Sequence, residues 1–316
     1  MKILKKLYWR LYNLLWLPII KNRNKRKIRE DRFKGRDKYS LDHNESTILK
    51  SKMELYHAQE QSALNKQFSE ETKLLAKKFH NNGFVFFPFS PYSSELIKTI
   101  KEKVNNLFDN PDHYEIRGKC LPNGQAMSYA LTTISSQLQE VNQLLVDKVS
   151  DLLQCYYGSY FDIGTVVVWR NKNIPEQFKK NNEVFSERWH WDHRSLNMTK
   201  LFYMVDDISL DQGPFHFQSK QRSMELIKLG YKDRMDYGLE PEVIENTEFV
   251  NKLTGKAGDI LLINTTYCLH KAGNPKKGKH RDIIQFQFFP SSKPLETNWL
   301  NNPVKTKTTL GKRGKI

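Results

Sequence analysis

Two histidines and an aspartate that can meet only if distant strands fold back on one another constrain this chain more than any other feature. The segment Trp189-His190-Trp191-Asp192-His193 is answered about eighty residues later by His270, and then by Arg281. On an extended strand successive side chains point to opposite faces, so His190 and Asp192, two apart, share one face. Two imidazoles and one carboxylate form the ligand set that holds non-heme iron(II) and leaves other coordination positions open. His270 is the natural third ligand. Arg281 presents a fixed planar cation that can grip a carboxylate through two parallel hydrogen bonds. A metal triad beside such an arginine implies oxidation chemistry driven by a 2-oxo acid. His193 reads as a surface residue or a substrate contact rather than a ligand.

The charge pattern narrows the partners. The formal net charge is +16, which invites a nucleic-acid reading. Residues 1–38 carry fourteen Lys/Arg against Glu30, Asp31 and Asp37, and five cations and no acid follow Glu296. Those two ends account for the whole excess, so the body between them is electroneutral. Phosphate binding needs cations around the site itself, which argues against a nucleic-acid partner. Cys120, Cys155 and Cys268 are odd in number and lack C-x-x-C spacing. They suit a reducing, cytoplasmic compartment and offer no disulfide or zinc framework.

Residues 1–20 place Leu4, Leu7, Leu11, Leu14 and Leu15 on one helical face and Lys2, Lys5, Lys6, Arg10 and Asn13 on the other. Pro18 ends or kinks that helix, and a basic run from Lys21 to Arg29 follows. The apolar stretch is about half of the ~20 residues a span requires, and no small-residue cleavage site follows it. Residues 1–29 are therefore expected to lie on an anionic membrane surface. Packing on protein and a short true span are the competing roles. Residues 21–45 read as a basic linker, 46–78 as covering helices, 79–296 as the main domain and 297–316 as a basic tail.

Within the main domain, helices precede strands. Ser93 or Ser94 is placed to cap a helix carrying Leu96, Ile97, Ile100, Val104, Leu107 and Phe108. A second amphipathic helix is expected to carry Leu138, Val141, Leu144, Leu145, Val149 and Leu152. Short β-branched or aromatic runs at 84–89, 162–169, 200–205, 213–217, 258–264 and 282–289 read as strands. That order predicts an α+β domain whose second half is an antiparallel double-layered barrel. Asp206 and Asp207 read as turn formers. Trp169, Trp189 and Trp191 fit either an aromatic wall or ordinary core, and Arg170 with residues 172–182 fits a cationic lid.

From about Phe79 to Pro290 the chain resembles the phytanoyl-CoA dioxygenase family of iron(II)/2-oxoglutarate oxygenases. The resemblance rests on ordered motifs: Asn82-Gly83-Phe84-Val85, Trp189-His190-Trp191-Asp192, Val205-Asp206-Asp207, Gln212-Gly213-Pro214-Phe215 and Ala257-Gly258-Asp259-Ile260, then His270, Asn274-Pro275 and Arg281. It implies a double-stranded β-helix (jelly-roll, cupin-like) core with flanking helices. It also implies Fe(2+) on His190, Asp192 and His270, the distal carboxylate of 2-oxoglutarate on Arg281, and O2 as oxidant. Asp192, where halogenating relatives carry a small residue, favours hydroxylation or another oxidation over halogenation. If residues 1–29 sit on a membrane, a lipid, an acyl thioester or a lipid-linked sugar is the favoured small-molecule substrate. Two positions depart from the family pattern: Gln218-Ser219-Lys220 replaces Gly-Ser-His, and Ala272 stands where a hydroxyl residue often helps the arginine. The competing readings are a nucleic-acid-binding or modifying protein, and a jelly-roll metal protein that is not a 2-oxoglutarate oxygenase.

Overall fold

The computed structural model describes residues 45–87, 91–120, 126–131, 134–178, 187–192, 195–234 and 236–302. The expected membrane-surface helix, nearly all of the basic linker, the basic tail beyond 302 and His193 lie outside them. No helix among the described residues is long and apolar enough to cross a membrane.

Two helices form the first covering layer, α1 (Glu45–Gln61) and α2 (Glu70–Asn82). Ser69 caps α2 by accepting from the Thr72 backbone N–H, and Gly83 ends it at φ 80°, a left-handed conformation that disfavours a side chain. Strand β1 (Phe84–Phe87) starts at once. Helix α3 (Ser94–Asp109) is capped by Ser93 and buries Ile100, Val104 and Phe108, one face at helical spacing. A hairpin of β2 (Tyr114–Cys120) and β3 (Ala126–Leu131) follows; the sequence reading does not contain it. The helix expected over Leu138–Leu152 is interrupted. A 3-10 turn covers Gln139–Leu144, Val146 is extended, and α4 runs Asp147–Tyr157.

The remaining strands are β4 (Tyr160–Lys172), β5 (Thr199–Met204), β6 (His216–Phe217), β7 (Asn251–Lys252), β8 (Ile260–Ile263), β9 (His270–Lys271) and β10 (His280–Ser291), with helix α5 (Lys220–Leu229) after β6. They form two antiparallel sheets, a seven-stranded one ordered β1-β8-β5-β10-β4-β3-β2 and a three-stranded one ordered β7-β6-β9. His190 adds a further rung to the small sheet by bridging to His270.

Strand alternation divides the molecule into layers. On β10, Ile284, Phe286 and Phe288 join Leu201, Tyr203, Ile260 and Leu262 in the core beneath the helices. The alternate residues Ile283, Phe202, Met204, Leu261 and Ile263 pack with Phe217 of the small sheet and with Phe215 just before its strand, closing the space between the sheets. On the far side of the small sheet, Trp189, Trp191 and Leu269 pack with Leu226, Tyr231 and Ile244. Each fully buried large side chain contributes roughly 1.5–3 kcal/mol. The α+β class and the antiparallel double-layered barrel expected from the sequence are the observed architecture.

Candidate metal and cosubstrate site

The alternation that buries Trp189 and Trp191 on one side turns His190 and Asp192 to the other. Trp189 is fixed at every polar atom. Its backbone N–H donates to the Tyr237 hydroxyl (3.1 Å), its carbonyl accepts from the Tyr231 hydroxyl (2.7 Å), and its indole N–H donates to Glu245 (2.9 Å). Trp191 donates its indole N–H to the Tyr267 carbonyl. The two tryptophans are therefore packing residues that hold the strand, not an aromatic wall of the cavity.

His190 and His270 exchange backbone hydrogen bonds of 2.9 and 3.0 Å, and the Asp192 N–H donates to the Thr265 carbonyl at 3.0 Å. This pairing carries the distal histidine to the first two residues. Ligand atoms of His190, Asp192 and His270 lie within 4.8 Å of one another, and the two ring centroids are 4.3 Å apart.

The imidazoles are oriented for coordination. His190 Nδ1 lies 2.7 Å from the Arg188 carbonyl, and His270 Nδ1 lies 2.9 Å from the Cys268 carbonyl. A carbonyl only accepts, so Nδ1 carries the proton in both rings and each Nε2 keeps its lone pair. Burial, with His270 beside it, holds His190 well below the usual histidine range, and burial pulls His270 down to about 4. Both rings are neutral at pH 7, the state a metal needs. Burial alone would raise the Asp192 carboxyl. The positive charge of Lys200, together with the two histidines, outweighs it and holds the group well below the carboxylate range.

Lys200 was not singled out from the sequence. It alternates with Phe202 and Met204, so it faces the interior, and its Nζ is 2.6 Å from Asp192 Oδ2. That oxygen nevertheless has no well-aimed hydrogen-bond donor, so the contact is an ion pair with acceptor capacity left over. Two basic nitrogens and one ionised oxygen with a free lone pair, all turned to one point, suit a divalent ion of the iron type.

Arg281 shares the interior side of β10 with Ile283, Gln285 and Gln287. Its side chain is 3% exposed, one NH1 donates to the Gly273 carbonyl at 3.2 Å, and Nε has no partner. Burial lowers its pKa to about 10, so it stays cationic. Among the described residues it forms no ion pair. A buried, unpaired cation is costly, and this one matches the far carboxylate of a dianionic cosubstrate. Gly213 and Gly273 make its loop possible. A Cβ on Gly213 would lie 2.2 Å from the Asn274 carbonyl carbon, and one on Gly273 would lie 2.2 Å from the Pro214 carbonyl oxygen.

Other singled-out residues serve the scaffold. Arg170 is not a lid cation. It lies on the helix side of β4, donating from Nε and NH2 to Asp282 (2.6–3.1 Å) and from NH2 to Asn105. Asp207 accepts from Lys256 and from the Ala257 N–H, and Asp206 pairs with Lys101, as turn formers do. Asp206, His280 and Asp282 also approach one another, but Lys101 and Arg170 already neutralise that cluster. In the Gln218-Ser219-Lys220 departure, Gln218 donates to the Ile244 carbonyl and Ser219 caps α5. Ala272 is half-buried beside Gly273.

No protein-family model and no curated protein matches the chain. Solved structures similar to it include the non-heme alpha-ketoglutarate-dependent epimerase SnoN from nogalamycin biosynthesis, at 14% identity over 69% of this chain and 83% of that one, with a TM-score of 0.51. EctD from S. alaskensis, solved with 2-oxoglutarate and 5-hydroxyectoine, is similar at 13% identity over 80% of this chain and 88% of that one, with a TM-score of 0.52. At such identities the likeness establishes a shared fold. The cupin-like double-stranded β-helix expected from the sequence is that fold.

Proposed function

We propose that the chain is an iron(II)- and 2-oxoglutarate-dependent oxygenase of the phytanoyl-CoA dioxygenase-like type, acting as a hydroxylase. The observation that carries this reading is the convergence of ligand atoms of His190, Asp192 and His270 within 4.8 Å, in the same barrel interior as a buried Arg281 that has no counter-ion among the described residues. In this role His190, Asp192 and His270 hold Fe(2+), and Arg281 grips the distal carboxylate of 2-oxoglutarate. When bound, the metal and cosubstrate supply the oxidising power, with 2-oxoglutarate and O2 giving succinate and carbon dioxide as a C–H bond is oxidised.

The protein's own residues account for positioning and for exclusion of water. The carbonyls of Arg188 and Cys268 keep both rings in the ligating tautomer. The Gly213–Gly273 contact supports the loop whose carbonyl accepts from Arg281. Phe202, Phe215, Met204 and Ile283 form an apolar wall of the interior, which strengthens the charge interactions beside it. The substrate class that fits the amphipathic start of the chain is a lipid, an acyl thioester or a lipid-linked sugar. Residues 1–29 would place the enzyme on the cytoplasmic side of an anionic membrane.

The test is anaerobic titration of the purified protein with iron(II) and 2-oxoglutarate. The visible charge-transfer absorption of the iron chelate is expected in the wild type and lost in His270→Ala. Iron binding without that absorption refutes the 2-oxoglutarate reading.

A further inference from the structure

The interior holds one more cation than the proposed ligands can balance. Lys200 is 9% exposed, and Asp192 is its only ion-pair partner among the described residues. A divalent ion claiming the Asp192 carboxylate takes the negative charge on which Lys200 relies. Counting the ion, that carboxylate, a dianionic cosubstrate, Arg281 and Lys200 leaves one positive charge over. Without Lys200 the count is neutral.

The surroundings of Lys200 are built for a polar guest. It lies directly across from Gln287 on β10. Gln285, two residues along the same interior face and 8% exposed, puts a second amide on the wall beside Lys200.

We propose that Lys200, flanked by Gln285 and Gln287, recognises an acidic group on the substrate, a carboxylate or a phosphate. This inference rests on the oxygenase reading and names the substrate chemistry of that site. A neutral hydrocarbon would leave the surplus charge unanswered, whereas a carboxylic acid or a lipid-linked sugar phosphate brings the required anion.

The test uses the full chain, anaerobic with iron(II) and 2-oxoglutarate, and three probes of equal chain length: hexanoate, hexyl phosphate and hexanol. Saturable perturbation of the chelate absorption by hexanoate or hexyl phosphate is expected at concentrations at least about tenfold below those needed for hexanol. Whichever acid acts at the lower concentration identifies the headgroup. Lys200→Met should erase the preference, with iron(II) and 2-oxoglutarate affinities of the variant measured in the same titration. Lys200→Arg should keep the preference. Equal response to hexanol, no response to either acid, or an unchanged preference in Lys200→Met overturns the inference. Loss of 2-oxoglutarate affinity in a folded Lys200→Met, judged by its thermal melt, also overturns it, because it assigns Lys200 to the cosubstrate. If wild type binds iron but forms no chelate, the oxygenase reading itself falls, and this inference with it.

Discussion

Replacing Asp282 by Asn should destabilise the protein by about 3–5 kcal/mol, the cost of leaving a buried guanidinium without its counter-charge. Asp282 is fully buried, and Arg170 reaches it with three contacts of 3.0, 3.1 and 2.6 Å while stacking 4.6 Å over the Phe108 ring. Burial raises the Asp282 carboxyl even with Arg170 against it. The pair is therefore costly to break, yet worth little beside an apolar replacement of the same shape. For a body of this size, the loss corresponds to a fall in Tm of roughly 6–20 °C. Thermal and urea denaturation at pH 7 measure it. The double variant Arg170→Met/Asp282→Leu should recover most of the loss, because no charge is then left buried. Asp282 points to the helix side of β10 and Arg281 to the interior, so Asp282→Asn should still form the chelate below its melting range. A single-variant loss under about 1 kcal/mol, or a double variant as unstable as the single, would refute this account of the pair.

The metal-free protein should lose stability as pH falls. His190 is held well below its ordinary value, and His270 and His216 are lowered to about 4, chiefly by burial. The unfolded chain takes up protons near pH 6.5 that these folded rings refuse, so their contribution is full above 6.5 and drains away toward 4. Urea midpoints in chelator between pH 7.5 and 4.5 check this, and a flat profile contradicts it. Gly273→Ala should raise the KM for 2-oxoglutarate with little change in iron affinity, since the added methyl strikes the Pro214 carbonyl and shifts the Arg281 loop; equal loss of both would contradict the assignment. Arg281→Met should weaken 2-oxoglutarate by at least about tenfold, the loss of a charge-assisted pair, read by the same anaerobic titration.

Much of the site was legible in the chain because its information is short-range. Period-two alternation set His190 and Asp192 together, and the run Ile260–Ile263 marked the strand leading to His270. The same alternation misleads on β10. In Ile283-Ile284-Gln285-Phe286-Gln287-Phe288 the glutamines look solvent-facing, yet helices cover the phenylalanine side and the glutamines line the barrel. A polar interior is what a binding site requires, and no local pattern distinguishes it from an outer surface. Lys200 is hidden for the same reason: a lysine in a strand reads as exposed until its register against Ile263 and Gln287 is known. Arg170 misled in the opposite sense, because its partner Asp282 is distant in sequence. The β2–β3 hairpin does carry a turn signal, Pro122-Asn123-Gly124 between its strands, but short flanking runs of mixed polarity hid it, whereas the break at Val146 has no glycine or proline beside it.

The most direct test of the central claim is a crystal structure grown without oxygen in iron(II) and 2-oxoglutarate. A single ion is expected between His190 Nε2, His270 Nε2 and an Asp192 oxygen at ~2.0–2.2 Å, with the Arg281 guanidinium against the far carboxylate of the cosubstrate. An ion held elsewhere, or a cosubstrate whose far carboxylate avoids Arg281, would contradict the account.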